Sequence, residues 1–322
     1  MLSRTADHLF WMARYMERAE NTARMLDVNY QTGLLPQHDD NAEEEGWRGL
    51  LSISELTESF SKKYEQVTAR NVMEFMVRDE TNPSSIASCV RAARENARAV
   101  RGALTTEVWE TQNQTWLEFM RVLKDPAFER DPSGLFEWVK FRSHLSRGVT
   151  VGTMLQDEAL HFLRIGTFLE RADNTARLLD VKFQALAGGD YFGPTAAKEG
   201  LEVDFYHWSA ILRSVSGFEI YRKVYRNVIH PEKVAELLIL RPDMPRSLAA
   251  CLNDLVLNLE MVSNQQSSET VRRAGRLRAD LKYVHIDEIL ATGLHAYLTQ
   301  FLDRVNDIGV GISRDFLVPM AA

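Results

Sequence analysis

Three observations predict an all-α fold, a helical bundle made of two pseudo-symmetric repeats of one multi-helix unit. Across 322 residues only 17 Gly and 9 Pro punctuate the chain, too few turn-formers for an architecture of many short strands. Between them run long stretches of Ala, Leu, Arg, Glu and Met, the strongest helix formers. The chain also resembles itself: ERAENTARMLDVNYQ from Glu17 and ERADNTARLLDVKFQ from Glu170 agree at eleven of fifteen positions.

Apolar spacing and punctuation place the helices. The first repeat is expected to hold helices at 3–31, 42–62, 83–104, 106–123 and 134–154. Between the first two, Gly33, Pro36, Asp39 and Asp40 read as a surface loop. The second repeat is expected to hold helices at 157–186, 196–215, 231–240, 245–262, 269–283 and 287–314, with AGGDYFGP from Ala187 as a loop. Pro83, Pro231 and Pro245 sit at or near helix starts, where a missing N–H costs nothing.

The self-similarity extends beyond the longest match. Ala6 and His8 fall on Ala159 and His161, Trp47 on Trp208, and Tyr64 on Tyr225. NPSSIASCV from Asn82 falls on MPRSLAACL from Met244, so that Pro83 meets Pro245 and Cys89 meets Cys251. A repeat of this length, far above the roughly 20–50 residues of solenoid units, predicts a duplicated domain with units 1–156 and 157–322, packed as one globular body.

Composition excludes several classes. A formal charge of −7 argues against a general nucleic-acid binder, which needs a cationic surplus over the phosphates, and against a membrane surface for the same reason. No run approaches a membrane span, and MLSRTADHLF lacks the pattern of an export signal, so the expected location is the cytoplasm. Cys89 and Cys251 are too few and too far apart for a disulfide framework and read as core thiols.

The segment from Met12 to Tyr30 carries two faces when wound as a helix. Met12, Tyr15, Met16, Ala19, Ala23, Leu26 and Tyr30 make an apolar stripe. Arg14, Glu17, Glu20, Asn21, Arg24 and Asp27 make a polar arc, repeated as Glu170, Asp173, Asn174, Arg177 and Asp180. Three readings stay open: a solvated face with i,i+4 pairs Glu20–Arg24 and Asp173–Arg177, a buried polar network that fixes helix packing, or a ligand or catalytic site. Solvated positions drift freely after a duplication, and here the polar identities agree as well as the apolar ones do.

A second polar cluster, RENARAVR followed by TTEVWETQN, aligns Arg94, Arg98 and Arg101 on one helix face beside Glu95 and Asn96. The matching stretch of the second repeat, VLNLEMVS, keeps Asn258 and loses the arginines, so the halves are not equivalent. These three guanidinium groups either bind an anion or face water. Glu158 precedes His161 as in di-iron bundles, but Thr5 stands at the first repeat's equivalent position, and a core histidine is the expected state. No metal or cofactor is expected, since HExxH, P-loop, GxGxxG and GxSxG patterns are all missing.

The segments SRTADHLFWMARYMERAENTARMLDVNY, RENARAVRGALTTEVWETQN and LHFLRIGTFLERADNTARLLDVKF resemble the alpha-E family, a bacterial all-helical domain with a Glu-Arg motif. The resemblance spans the whole chain. Its motif positions fall on Glu17, Arg18, Asn21 and Arg24, on Arg94, Glu95, Asn96, Arg98 and Arg101, on Glu107, Trp109 and Asn113, and on Glu170, Arg171, Asn174 and Arg177. What it implies is company: a circularly permuted ATP-grasp protein and a transglutaminase-like protease, in a system that makes, attaches or removes a peptide or amino-acid amide.

The expectation is therefore a helical component of an amide-ligation or peptide-modification system. It would bind a carboxylate-bearing peptide or amino acid through the arginine groups. One alternative is an amide-forming enzyme in which Glu17 or Glu170, raised in pKa by burial, is the general base. The other is a non-catalytic scaffold for the ligase.

Overall fold

The computed structural model describes residues 1–34, 42–125, 130–186 and 201–317, and among these every regular element is helical. In the first part of the chain lie α1 (Ser3–Gly33), α2 (Ala42–Ile53), α3 (Thr57–Ser61), α4 (Ala69–Val77), α5 (Ile86–Ala99), α6 (Thr106–Val122) and α7 (Pro132–Thr153). Then follow α8 (Glu158–Leu186), α9 (Leu201–Ser214), α10 (Phe218–Tyr225), α11 (Pro231–Leu240), α12 (Leu248–Met261), α13 (Ser268–Tyr283), α14 (Ile286–Thr292) and α15 (Leu294–Phe316).

Two rings of four helices share one central contact. α1 packs on α5, α5 on α6, α6 on α7 and α7 back on α1; α8 packs on α12, α12 on α13, α13 on α15 and α15 back on α8. Among the described residues the most extensive helix contact joins the rings along α1 and α8. Smaller helices cover it crosswise, with α2 on α8 and α9 on α1, burying Trp47 and Trp208 almost completely. Burying an aromatic side chain of this size is among the largest single apolar gains available to a core.

Gly166 lets the central pair come so close. A Cβ on it would lie 2.3 Å from the Phe10 carbonyl oxygen and 3.3 Å from the Ala13 Cβ. α1 is consequently buried all round over its middle turns, charged residues included.

Several expected boundaries shift, each for a local reason. The helix expected at 42–62 breaks after Ile53, where Glu55 takes φ 55°, and resumes as α3. The helix expected at 287–314 breaks at Gly293, whose φ of 95° suits glycine. Pro83 and Pro245 precede their helices rather than open them. The caps are Ser85, accepting from the Ser88 N–H, and Ser247, accepting from the Ala250 N–H. Pro231 does open α11. α4 and α10 were not expected, the surface loop at 30–42 is helical to Gly33, and the AGGDYFGP segment lies outside the described residues. Both cysteines are buried thiols, and each Sγ faces the carbonyl of the proline six residues earlier.

Candidate functional site

The polar arc of α1 points inward. Glu17 is 1% exposed and Glu20 0%, which removes the solvated-face reading. Charges taken out of water this completely require partners for every lone pair, and the partners come from four separate segments.

Arg171 on α8 grips Glu17 with its fork, Nε donating to Oε1 at 3.0 Å and Nη2 to Oε2 at 2.9 Å. Arg246, between α11 and α12, donates to Glu17 Oε1 at 2.8 Å, to Asn21 Oδ1 at 2.9 Å and to Glu20 Oε1 at 2.5 Å. Arg147 on α7 bridges Glu17 and Glu20 at 3.1 and 2.5 Å. Arg24, one turn on from Glu20, donates Nε to it at 2.9 Å. Four guanidinium groups thus surround two carboxylates.

The converse pairing holds the other Glu-Arg dipeptide. Glu170 on α8 accepts from Arg18 Nε at 2.6 Å, from Arg18 Nη2 at 3.1 Å and from Arg14 Nε at 2.7 Å. Each dipeptide therefore gives its acid to the other's base across the α1–α8 contact. Arg14 also lies 5.0 Å from the Trp11 ring centroid, a cation–π position.

Burial alone would raise these carboxyls, as the alternative of a general base at Glu17 or Glu170 requires. The guanidinium groups around them act the other way. For Glu17, burial is the largest influence and pushes upward, but Arg171, Arg246 and Arg147 outweigh it, against the opposition of Glu20, and the carboxyl sits below its ordinary value. Glu20 lies well below, brought down past burial by Arg246, Arg147 and Arg24. Glu170, likewise buried, is lowered to about 2 by Arg14 and Arg18. Carboxylates held ionised and saturated with donors are poor proton acceptors.

Glu170 gives a pH prediction. Its folded value of about 2 lies under the ordinary 4.5, so the stabilisation, on the order of 3 kcal/mol, is fully present above pH 5 and lost as pH falls toward 2. Urea unfolding between pH 6 and pH 2 should show that loss in the wild type and a shallower one in Glu170→Gln. Equal slopes would contradict the assignment.

His144 on α7 marks where the network meets solvent. Its Nδ1 lies 2.7 Å from Arg147 Nη2 and its Nε2 3.2 Å from Arg24 Nη2. A neutral imidazole has one acceptor nitrogen, so one of these contacts sets donor against donor, and a protonated ring would accept from neither. Burial first, then Arg147, Arg24 and Arg246, lower its pKa in spite of Glu20.

Two cavities border this network. The first, about 280 Å³, has Arg14, Arg18 and Arg177 beside Glu55, Glu170 and Asp173, together with Asn21, Asn174, Ser84 and Asn306. Arg177 is held by Asp173 at 2.8 and 3.1 Å and by Glu55. The buried Asn21 spends Oδ1 on Arg246, while its Nδ2 has no hydrogen-bond partner among the described residues. The second cavity, about 170 Å³, lies between α1, α7 and α8 and is mostly apolar.

Of the residues singled out in the sequence, Glu17, Arg18, Asn21, Arg24, Glu170, Arg171, Asn174 and Arg177 converge on this centre. The RENARAVR cluster lines neither of the two cavities. Arg94 donates to Asn113 at 2.9 Å and to Glu95 at 2.5 Å, Arg98 is mostly exposed and pairs with Glu95, and Arg101 lies over the Trp109 ring. Asn96 meets His8 at 2.7 Å, as Asn258 meets His161 at 2.8 Å, so both histidines, partly exposed rather than in the core, are satisfied by a neighbouring amide. Glu107 and Glu158 are exposed. Among the described residues no group of three or more His, Cys, Asp or Glu is arranged to hold a metal, and no helix is long and apolar enough to cross a membrane.

Arg147, Arg246 and His144 were missed. The one available signal was a mismatch inside the matched segments: Arg246 stands where the first segment has Ser84. Ser84 itself accepts from Arg18 at 3.4 Å.

Comparison with known proteins gives a consistent result. Residues 1–317 match the family Alpha-E, described as a predicted alpha-helical domain with a conserved ER motif. An uncharacterized protein of Mycobacterium bovis is 25% identical over 330 residues, covering 94% of this chain and 35% of its own length. Two uncharacterized proteins of Mycobacterium tuberculosis are 25% and 24% identical over the same span. The chain spans about a third of the length of the curated relatives it matches. No solved structure matches it.

Proposed function

This chain belongs to the Alpha-E family, and we propose that it binds an amino acid or short peptide in the polar cavity between α1 and α8. The observation that carries this reading is the balance of that cavity. Three guanidinium groups and three carboxylates face a space of about 280 Å³, which also holds the unpaired amide of Asn21. A zwitterion brings both signs, its carboxylate to the Nη atoms of Arg14, which Glu170 leaves free, and its ammonium to the acidic side at Asp173 and Glu55.

From the family resemblance, the bound molecule would be a substrate or product of a circularly permuted ATP-grasp protein working with a transglutaminase-like protease. The role is binding and presentation. A general base at Glu17 or Glu170 is disfavoured by the guanidinium donors that saturate both. We further read the two rings as repeats of one unit, 1–156 and 157–322. The exchanged Glu-Arg dipeptides and the paired contacts His8–Asn96 and His161–Asn258 support that reading.

Asn174 lines the cavity and its side chain makes no hydrogen bond among the described residues, so it can be changed without dismantling the network. Titration calorimetry with single amino acids and dipeptides should find a binder, and Asn174→Leu should weaken it by about 10-fold, the worth of one to two polar contacts. Mass spectrometry of a mixture with the ATP-grasp protein, ATP and that binder should then show a new amide that depends on this chain. No binder among them would leave the scaffold reading.

A further inference from the structure

The smaller cavity carries a different charge pattern. Arg147, Arg164 and Arg171 line it against a single carboxylate, Glu17. Arg171 and Glu17 are locked to each other, and Arg147 shares its Nη1 between both glutamates. Arg164 makes no hydrogen bond or ion pair among the described residues and is only partly exposed. The remainder of the wall is mostly apolar, built on Met12, Met16, Leu160, Leu163 and Phe168, with the hydroxyls of Ser143, Ser146, Thr150 and Thr167 among them.

We propose that this cavity is a second binding site, for a small monocarboxylate with an apolar tail. The volume, about 170 Å³, is comparable to the engineered cavity of about 150 Å³ that takes benzene, so a tail of six or so carbons fills it. A guanidinium fork matches the two oxygens of a carboxylate, and Arg164 is the fork with nothing to hold. Asp254 faces Arg164 electrostatically without a hydrogen bond to it, so a neutral molecule would still leave the fork without an acceptor, and an alkylammonium would be repelled. A zwitterion finds no spare acid among the lining residues, because Glu17 is already taken, so this site and the polar cavity select different chemistry.

The test uses the whole chain and hexanoate, with hexanol and hexylammonium as controls, followed by calorimetry and by the shift of the thermal midpoint. Hexanoate should bind with a Kd on the order of 0.1–1 mM, and the two controls at least 10-fold more weakly. Arg164→Gln should weaken hexanoate about 10-fold or more, the loss of a charge-assisted pair, without moving hexanol; Arg164→Lys should restore part of it. Val151 is largely exposed at the cavity wall, so Val151→Trp should plug the space without disturbing the core and abolish binding. No binding of hexanoate, or binding that is indifferent to both Arg164→Gln and Val151→Trp, overturns the proposal.

Discussion

Glu17→Gln is expected to cost about 3–5 kcal/mol of unfolding free energy, the typical penalty for breaking a buried ion pair from one side. The carboxylate accepts from Arg171 twice, from Arg246 and from Arg147. An amide keeps the shape and loses the charge, and one of its two ends then turns an N–H toward a guanidinium. Glu20 alone would face four buried or half-buried cations. Chemical denaturation measures the cost directly, and a change under about 1 kcal/mol would show that the network contributes little. Glu17→Met combined with Arg171→Met removes both partners together, and it should recover part of the loss because no uncompensated fork remains.

The second large effect concerns a residue with no charge. Inside a helix, Gly→Ala ordinarily stabilises by about 1 kcal/mol. At Gly166 the sign should reverse, with a loss of about 3 kcal/mol, since the new methyl would lie 2.3 Å from a backbone carbonyl that no side-chain rotation can relieve. α1 and α8 would have to separate, stretching the exchanged Glu-Arg contacts at the same time. Gly275 on α13, with nothing within 4 Å of its added Cβ, is the control, and Gly275→Ala should be neutral or mildly stabilising. Thermal unfolding of the two variants side by side would decide the matter; equal midpoints would mean that the close crossing is not what limits the pair.

Much of this was legible in the chain. The periodic stretches of α1 and α8 announced long helices, and the repeated ERAxNTARxLDV motif announced that polar positions mattered there. What the motif did not carry was direction. A helix with an apolar stripe and a charged arc normally turns the arc to water. Here Gly166 and the crosswise cover by α2 and α9 enclose it, and a close approach between residues 10 and 166 leaves no periodic trace. The electrostatics followed from the same gap: burial suggested raised carboxyls, whereas Arg171, Arg246 and Arg147 drive Glu17 down and Arg14 and Arg18 drive Glu170 down, across helix contacts that the sequence does not show. The RENARAVR cluster is a different case: its regular spacing lies on a face where Glu95 pairs with Arg94 and Arg98, away from both cavities.

The exchanged dipeptides have a consequence for the integrity of the chain. The link between α7 and α8 is short and Leu155 within it is exposed, a natural point for a protease to nick. Such a cut would not release anything. Each fragment would hold the other's counter-ions in its interior, Arg171 and Arg246 around Glu17 and Arg14 and Arg18 around Glu170, and departure would leave Glu170 with neither of its guanidinium partners and Glu17 with Arg147 alone. The severed molecule should stay together as a non-covalent heterodimer, melting in one step.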